Sequence, residues 1–170
     1  MVLDVDGVLT DGGVYIGCGE RGESVELKRF DIQDGLGIKL LQWSGIRVVM
    51  VSGRVSSATT VRAEELEVEV HQISGAHKVP CVADLLAEGS MEWEEVAMVG
   101  DDLPDLPLFR KVGLPVAVAN AVPEIRDAAL CRTASRGGRG AVREFARALL
   151  VARGEWSQRV EEYCDARTGD

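Results

Sequence analysis

Short, wholly apolar runs that recur between helix-length stretches constrain this chain more than any other feature. Arg47-Val48-Val49-Met50-Val51, Val96-Ala97-Met98-Val99 and Val116-Ala117-Val118 show no alternation of apolar and polar residues. Strands of that kind are covered on both faces, as in a parallel sheet between layers of helices. The intervening segments carry helical spacing. Leu36, Leu40, Leu41 and Trp43 share a face that ends at Gly45, and Ser56 or Ser57 caps a helix running to about Leu66. Further helices are predicted from Val79 or Pro80 to Ala87, from Pro123 to about Ala129, and from Ala141 to about Ala152. The last places Val142, Phe145, Leu149 and Leu150 at core spacing. Strands that alternate with helices in this way predict an α/β chain with a Rossmann-like, doubly wound parallel sheet.

One stretch breaks the alternation. From Gly13 to Phe30, Val14-Tyr15-Ile16 and Val25-Glu26-Leu27-Lys28-Arg29-Phe30 flank the turn Gly17–Gly22, which predicts an inserted β-hairpin over about 13–30. A lone two-stranded hairpin is marginally stable, so it should pack on the body or on another subunit. The expected organisation is a single domain over 1–153 followed by a polar tail, 154–170. In that tail Trp156 and Tyr163 are isolated anchors, and it reads as a loose helix or an unstructured segment.

A formal charge of −9 leaves no basic face for nucleic acid. The apolar runs fall far short of the roughly 20 residues that span a bilayer, so no membrane association is expected. Nothing near Met1 resembles a signal peptide. Cys18, Cys81, Cys131 and Cys164 are too scattered for a disulfide framework or a zinc site, and the default compartment is a reducing cytoplasm.

The chemistry collects at strand ends. The first apolar run closes in Asp4-Val5-Asp6-Gly7, where residues i and i+2 of an extended strand leave one face. The others close in Ser52-Gly53-Arg54, in a loop reaching Lys78, and in Gly100-Asp101-Asp102-Leu103-Pro104-Asp105. Taken singly, Ser52 reads as a turn or cap residue, Lys78 as a solvated helix-start lysine, and Asp101-Asp102 as a helix cap. In a parallel sheet, however, these ends lie side by side at one edge, outside the carboxyl ends of the strands. Carboxylates from separate strands suit an octahedral magnesium site, and a hydroxyl with an ammonium suits the remaining oxygens of a phosphoryl group.

Asp4-Val5-Asp6-Gly7 with Thr10-Asp11-Gly12, Ser52-Gly53-Arg54, Lys78 and Gly100-Asp101-Asp102-x-x-Asp105 resemble the four motifs of the haloacid dehalogenase-like phosphohydrolases. The hairpin, Phe30–Ile38 and Gly137-Gly138-Arg139-Gly140 with the helix after it are similar to the branch that contains the octulosonate 8-phosphate phosphatases. The resemblance implies no large cap domain. It makes Asp4 the nucleophile and Asp6 the acid and base. It places magnesium on the Asp4 carboxylate, the Asp6 carbonyl and Asp101, and the phosphoryl group on Ser52 and Lys78. Asp105, with Asp102 beside it, would support from outside the contact shell. Substrate contacts are implied at Asp31, Asp34, Gly35, Lys39, Gly53, Arg54, Arg62, Lys78 and Arg139, with Arg54 or Arg139 suited to a sugar carboxylate. It also implies a homotetramer built through the hairpin.

Two positions depart from the branch. His77 precedes the lysine where Asp or Asn is usual, and Gln33 stands where Arg is usual. The first strand begins almost at Met1, and a natural start upstream is the expectation. The resemblance therefore implies a magnesium-dependent phosphatase of octulosonate 8-phosphate, a small sugar phosphate. Two alternatives stand beside it: a nonulosonate 9-phosphate phosphatase and a catalytically silent assembly module.

Overall fold

The computed structural model describes residues 1–168, so the last two residues of the predicted tail lie outside the described residues. The chain runs β1 (Val2–Leu3), a hairpin of β2 (Tyr15–Cys18) and β3 (Ser24–Leu27), α1 (Ile32–Trp43), β4 (Val49–Ser52), α2 (Ser57–Leu66) and β5 (Glu69–Gln72). It continues through α3 (Lys78–Gly89), β6 (Ala97–Gly100), α4 (Leu106–Phe109), β7 (Leu114–Ala117), α5 (Pro123–Ala128), β8 (Cys131–Arg132), α6 (Ala141–Ala152) and α7 (Trp156–Thr168). Six strands form one sheet in the order β5-β4-β1-β6-β7-β8, and every pairing in it is parallel.

The apolar runs explain the centre. Leu3 pairs with Met50 on one side and with Val99 on the other. All three side chains are completely buried, and full burial of each contributes about 1.5–3 kcal/mol. Helices cover the faces in two groups, α1 with α2 and α6 and α6 with α7 in one, α3 with α4 and α4 with α5 in the other. Right-handed crossovers produce this arrangement when strands are added first in one direction and then in the other.

Two expectations change, and the tail takes the helical one of its two expected forms. The buried face of α1 carries Ile38, Leu40 and Leu41 together with Asp34, while Leu36 and Trp43 are half-buried. Asp34 faces inward because its two oxygens accept from the backbone N–H groups of Gly140 (3.3 Å) and Arg143 (2.8 Å), donors the start of α6 cannot satisfy within its own helix. The tail forms α7, although its surface is polar. Trp156 lies under the guanidinium groups of Arg143 and Arg147, Tyr163 meets the Trp43 ring at 6.1 Å, and Arg159 donates to the Trp43 carbonyl. Strand β8 is an additional edge strand of two exposed residues. The hairpin is a separate antiparallel pair with Tyr15 opposite Leu27. It joins the body through the bridge between Thr10 and Phe30.

Candidate active site

Strands are added leftward from β1 to β4 and β5, then rightward from β6, so β1 and β6 flank the point where the order reverses. Clefts form at such points outside the carboxyl ends of the strands. Here the cleft measures about 250 Å³. Its walls are Asp4 and Asp6 after β1, Gly53 and Arg54 after β4, Ala76 and Lys78 before α3, and Asp101, Asp102, Pro104 and Asp105 after β6.

Asp4 leaves the sheet directly, its N–H still paired with the Val99 carbonyl at 3.1 Å. Its carboxylate accepts from Lys78 Nζ, which also donates to Asp105 Oδ1 at 2.7 Å. The other Asp105 oxygen accepts from the Asp101 N–H at 3.0 Å, so Asp105 joins the lysine to the backbone of the opposite wall. Asp4, Lys78 and Asp105 are all buried. Lys78 is the first residue of α3, where the helix dipole disfavours a cation. The two carboxylates hold it there. Ser52 is buried at the end of β4, its hydroxyl accepting from the Arg54 N–H at 3.1 Å.

The extended geometry expected at Asp6 is not what forms. Strand β1 ends at Leu3, and the N–H groups of Leu9 and Thr10 both turn back to the Val5 carbonyl at 3.0 Å. Asp6 lines the cleft but lies outside the cluster of Asp4, Asp101 and Asp105 oxygens, with Oδ1 2.5 Å from Lys28 Nζ and Oδ2 3.4 Å from Ser52 Oγ. Gly7 comes next with φ +100°, and a Cβ on it would lie 2.0 Å from Asp101 Oδ2. Only glycine lets the turn pass beneath that carboxylate. A second close approach locks the turn from the far side. A Cβ on Gly137 would lie 1.7 Å from the Gly7 carbonyl oxygen. The Asn120 amide bridges the same pair, donating to that oxygen at 2.9 Å and accepting from the Gly137 N–H at 2.6 Å.

Electrostatics mark the cleft. Burial, followed by the charge of Asp105, pushes the Asp4 carboxyl up to about 7 against the pull of Lys78. Burial and the charges of Asp4 and Asp105 push Asp101 up to about 8. Burial works against the Lys78 ammonium, but the carboxylates of Asp4 and Asp105 outweigh it and hold the group above its ordinary range. Among the described residues, Asp4, Asp101 and Asp105 each offer a carboxylate oxygen within 4.8 Å of the others. Three acids face one ammonium there, a surplus of negative charge that a bound cation would offset. An all-oxygen donor set of this kind fits a hard divalent cation such as magnesium.

The remaining predicted residues lie elsewhere. Asp31 caps α1 through the Gln33 N–H, and its carbonyl accepts from Arg62. Gly35 is packed against Arg62, Lys39 pairs with Glu67 on the surface, and Arg139 is exposed. Asp34 is occupied by α6. Within one subunit, therefore, Arg54 and Gly53 are the predicted substrate contacts that share the cleft with Asp4 and Lys78. Two residues escaped sequence reasoning. Lys28 could have been suspected from the basic pair it forms with Arg29 at the hairpin base; Asn120 carries no signal beyond its place after β7.

A model of haloacid dehalogenase-like hydrolases matches residues 73–145. The 3-deoxy-D-manno-octulosonate 8-phosphate phosphatase of Salmonella typhi is 44% identical over 156 residues, covering 91% of this chain and 80% of the relative. The crystal structure of a probable YrbI family phosphatase from Pseudomonas syringae pv. phaseolica 1448a superposes with a TM-score of 0.87 at 43% identity, over 96% of this chain and 90% of that one. The octulosonate 8-phosphate phosphatase of Moraxella catarrhalis, solved with magnesium, phosphate and the sugar acid, superposes with a TM-score of 0.87 at 34% identity, over 95% and 91% of the two chains. With this sheet, this cleft and these relatives, the chain belongs to the haloacid dehalogenase-like hydrolases, in the family of the 3-deoxy-D-manno-octulosonate 8-phosphate phosphatases.

Proposed function

We propose that this chain is a magnesium-dependent phosphatase that hydrolyses 3-deoxy-D-manno-octulosonate 8-phosphate to the free sugar acid and phosphate. The observation that carries the proposal is the convergence of Asp4, Lys78, Asp101 and Asp105 on one cleft, in a chain of this family. Asp4 attacks phosphorus as the nucleophile, and the bond from phosphorus to the sugar oxygen breaks. Asp6 gives its proton to that leaving oxygen, then takes one from the water that hydrolyses the aspartyl-phosphate. Ser52 and Lys78 hold the phosphoryl oxygens, and Asp105 orients Lys78 by the contact it already makes. The Asp4 carboxylate, the Asp6 carbonyl and Asp101 would hold magnesium. When bound, the ion supplies positive charge to the phosphoryl oxygens.

Arg54, half exposed at the cleft mouth and paired with Glu26 at 2.9 Å, suits the sugar carboxylate. A homotetramer built on the hairpin is part of the same proposal. Ile16, Leu27 and Tyr15 are 73%, 63% and 50% exposed, too much apolar surface on one small element to leave in water. Such an assembly would bring a neighbouring subunit to the surface that carries Arg139. Cytoplasmic location accords with four free thiols, and no helix among the described residues is long and apolar enough to cross a membrane.

The test is phosphate release from octulosonate 8-phosphate and from a nonulosonate 9-phosphate, with magnesium or with a chelator, and with Asp4→Asn in parallel. Metal-dependent preference for the eight-carbon sugar, lost in Asp4→Asn, is the expected outcome. Preference for the nine-carbon sugar would move the substrate but keep the chemistry, and full activity in Asp4→Asn would refute the nucleophile.

A further inference from the structure

We infer that Lys28, at the base of the hairpin, is a positioning residue for Asp6, and that through it the hairpin sets the direction of the acid. This role for Lys28 rests on the acid role just proposed for Asp6. The Lys28 side chain is 1% exposed, although the strand that precedes it presents Val25 and Leu27 to solvent. A buried ammonium is costly unless it is paired and hydrogen-bonded. Lys28 is paired with Asp6 Oδ1 at 2.5 Å and lies 3.7 Å from Glu26 Oε1, while Glu26 Oε2 meets Arg54 at 2.9 Å. Charges thus alternate in a row from Arg54 through Glu26 and Lys28 to Asp6.

The row matters because Asp6 has little else to hold it. It sits where the strand has already turned, beside a glycine in the left-handed region, and its second oxygen has only the 3.4 Å contact with Ser52. Asp6 lines the cleft, where a leaving oxygen must be met, and with Oδ1 held by Lys28 it is Oδ2 that remains to meet it. An acid has to stand within hydrogen-bond reach of the atom it protonates, and a misplacement of about 1 Å costs about 10²-fold in rate. Lys28 itself lines no part of the cleft, so its effect is exerted through Asp6. A lysine that only anchored the hairpin would affect all substrates alike.

Leaving groups separate the two roles. Wild type, Lys28→Met, Lys28→Arg and Asp6→Asn are assayed with magnesium on octulosonate 8-phosphate, whose alkoxide needs a proton, and on p-nitrophenyl phosphate, whose phenolate leaves without one. Lys28→Met is expected to lose about 10²-fold in kcat/KM on the sugar phosphate, with kcat/KM for the aryl phosphate within about threefold of wild type. Lys28→Arg should restore most of the lost rate. Equal losses of kcat/KM on both substrates, or none on the sugar phosphate, would overturn the inference. Asp6→Asn reports on the underlying reading separately: its kcat/KM, which covers transfer to Asp4 and not the later hydrolysis common to both substrates, should show the same dependence on leaving group, and if kcat/KM falls equally on both the acid assignment falls and the role of Lys28 with it.

Discussion

Gly137→Ala tests how tightly the loop before α6 holds the catalytic turn. The added methyl would lie 1.7 Å from the Gly7 carbonyl oxygen and 3.0 Å from Val8 Cα, against the ~3.5 Å at which non-bonded atoms reach favourable contact. Relief therefore needs a movement of about 1.5–2 Å, and what must move is backbone, not the end of a flexible side chain. Overpacking that side chains absorb costs about 1–3 kcal/mol. The upper end applies here, because separating the loops also strains the Asn120 bridge between Gly7 and Gly137. For a chain of this size each kcal/mol lowers Tm by roughly 2–4 °C, so a loss of about 3 kcal/mol predicts a fall of roughly 6–12 °C. The displaced carbonyl belongs to the residue after Asp6, so kcat should fall by about 10²-fold as well. Thermal unfolding monitored by circular dichroism, with phosphate release on the same samples, measures both. Gly17→Ala is the control: a Cβ there meets nothing within 4 Å. A Gly137→Ala protein melting within about 2 °C of wild type would refute the packing argument, since that corresponds to less than about 1 kcal/mol.

Burial pushes the Asp34 carboxyl up to about 6, against the pull of the backbone N–H groups of Arg143 and Gly140, from an ordinary value of 3.8. Between those values the unfolded chain releases a proton that the native state keeps, so this group lowers stability as pH rises from about 4 to about 6 and adds no further change above that. The unfolding free energy of Asp34→Asn relative to wild type should therefore rise by as much as about 3 kcal/mol across that window in urea titrations, and a flat difference would show that Asp34 titrates normally. Magnesium at about 100 times its Kd should raise Tm by roughly 5–10 °C, corresponding to about 2.7 kcal/mol of linkage. Asp101→Asn should abolish that shift, and an unchanged shift would place the ion elsewhere. The proposed tetramer predicts that wild type sediments as that species and that replacing Ile16 or Leu27 with lysine gives smaller ones, while a tetramer that persists in the variants would exclude the hairpin as its core.

Much of this was legible in the residues, and for a definite reason. A parallel sheet gathers its strand ends whatever their separation, so Asp4, Ser52, Lys78, Asp101 and Asp105 could be brought to one edge from the order of apolar runs alone. The contacts of Asp6 could not, because they depend on where β1 stops hydrogen bonding and the chain begins to turn. Asp34 is implied as a substrate contact, and its partners lie more than a hundred residues later, at the start of another helix, where no local pattern points to them. Strand β8 is two exposed residues whose pairing is decided by their neighbour β7, with no pattern of their own. Lys28 gained its meaning from a turn 22 residues earlier that only the folded chain brings beside it.

That dispersal has a consequence for synthesis. Domains fold as the chain leaves the ribosome, amino terminus first, and Asp4 and Asp6 are made before the rest of the site. Asp101 and Asp105, which complete the acidic cluster, emerge about a hundred residues later, and Gly137, which closes over the Gly7 carbonyl, later still. No local segment contains a working subset of these groups. The nascent protein is therefore inert until the loop holding Gly137 has been made, and its hydrolytic power appears only when the sheet is complete.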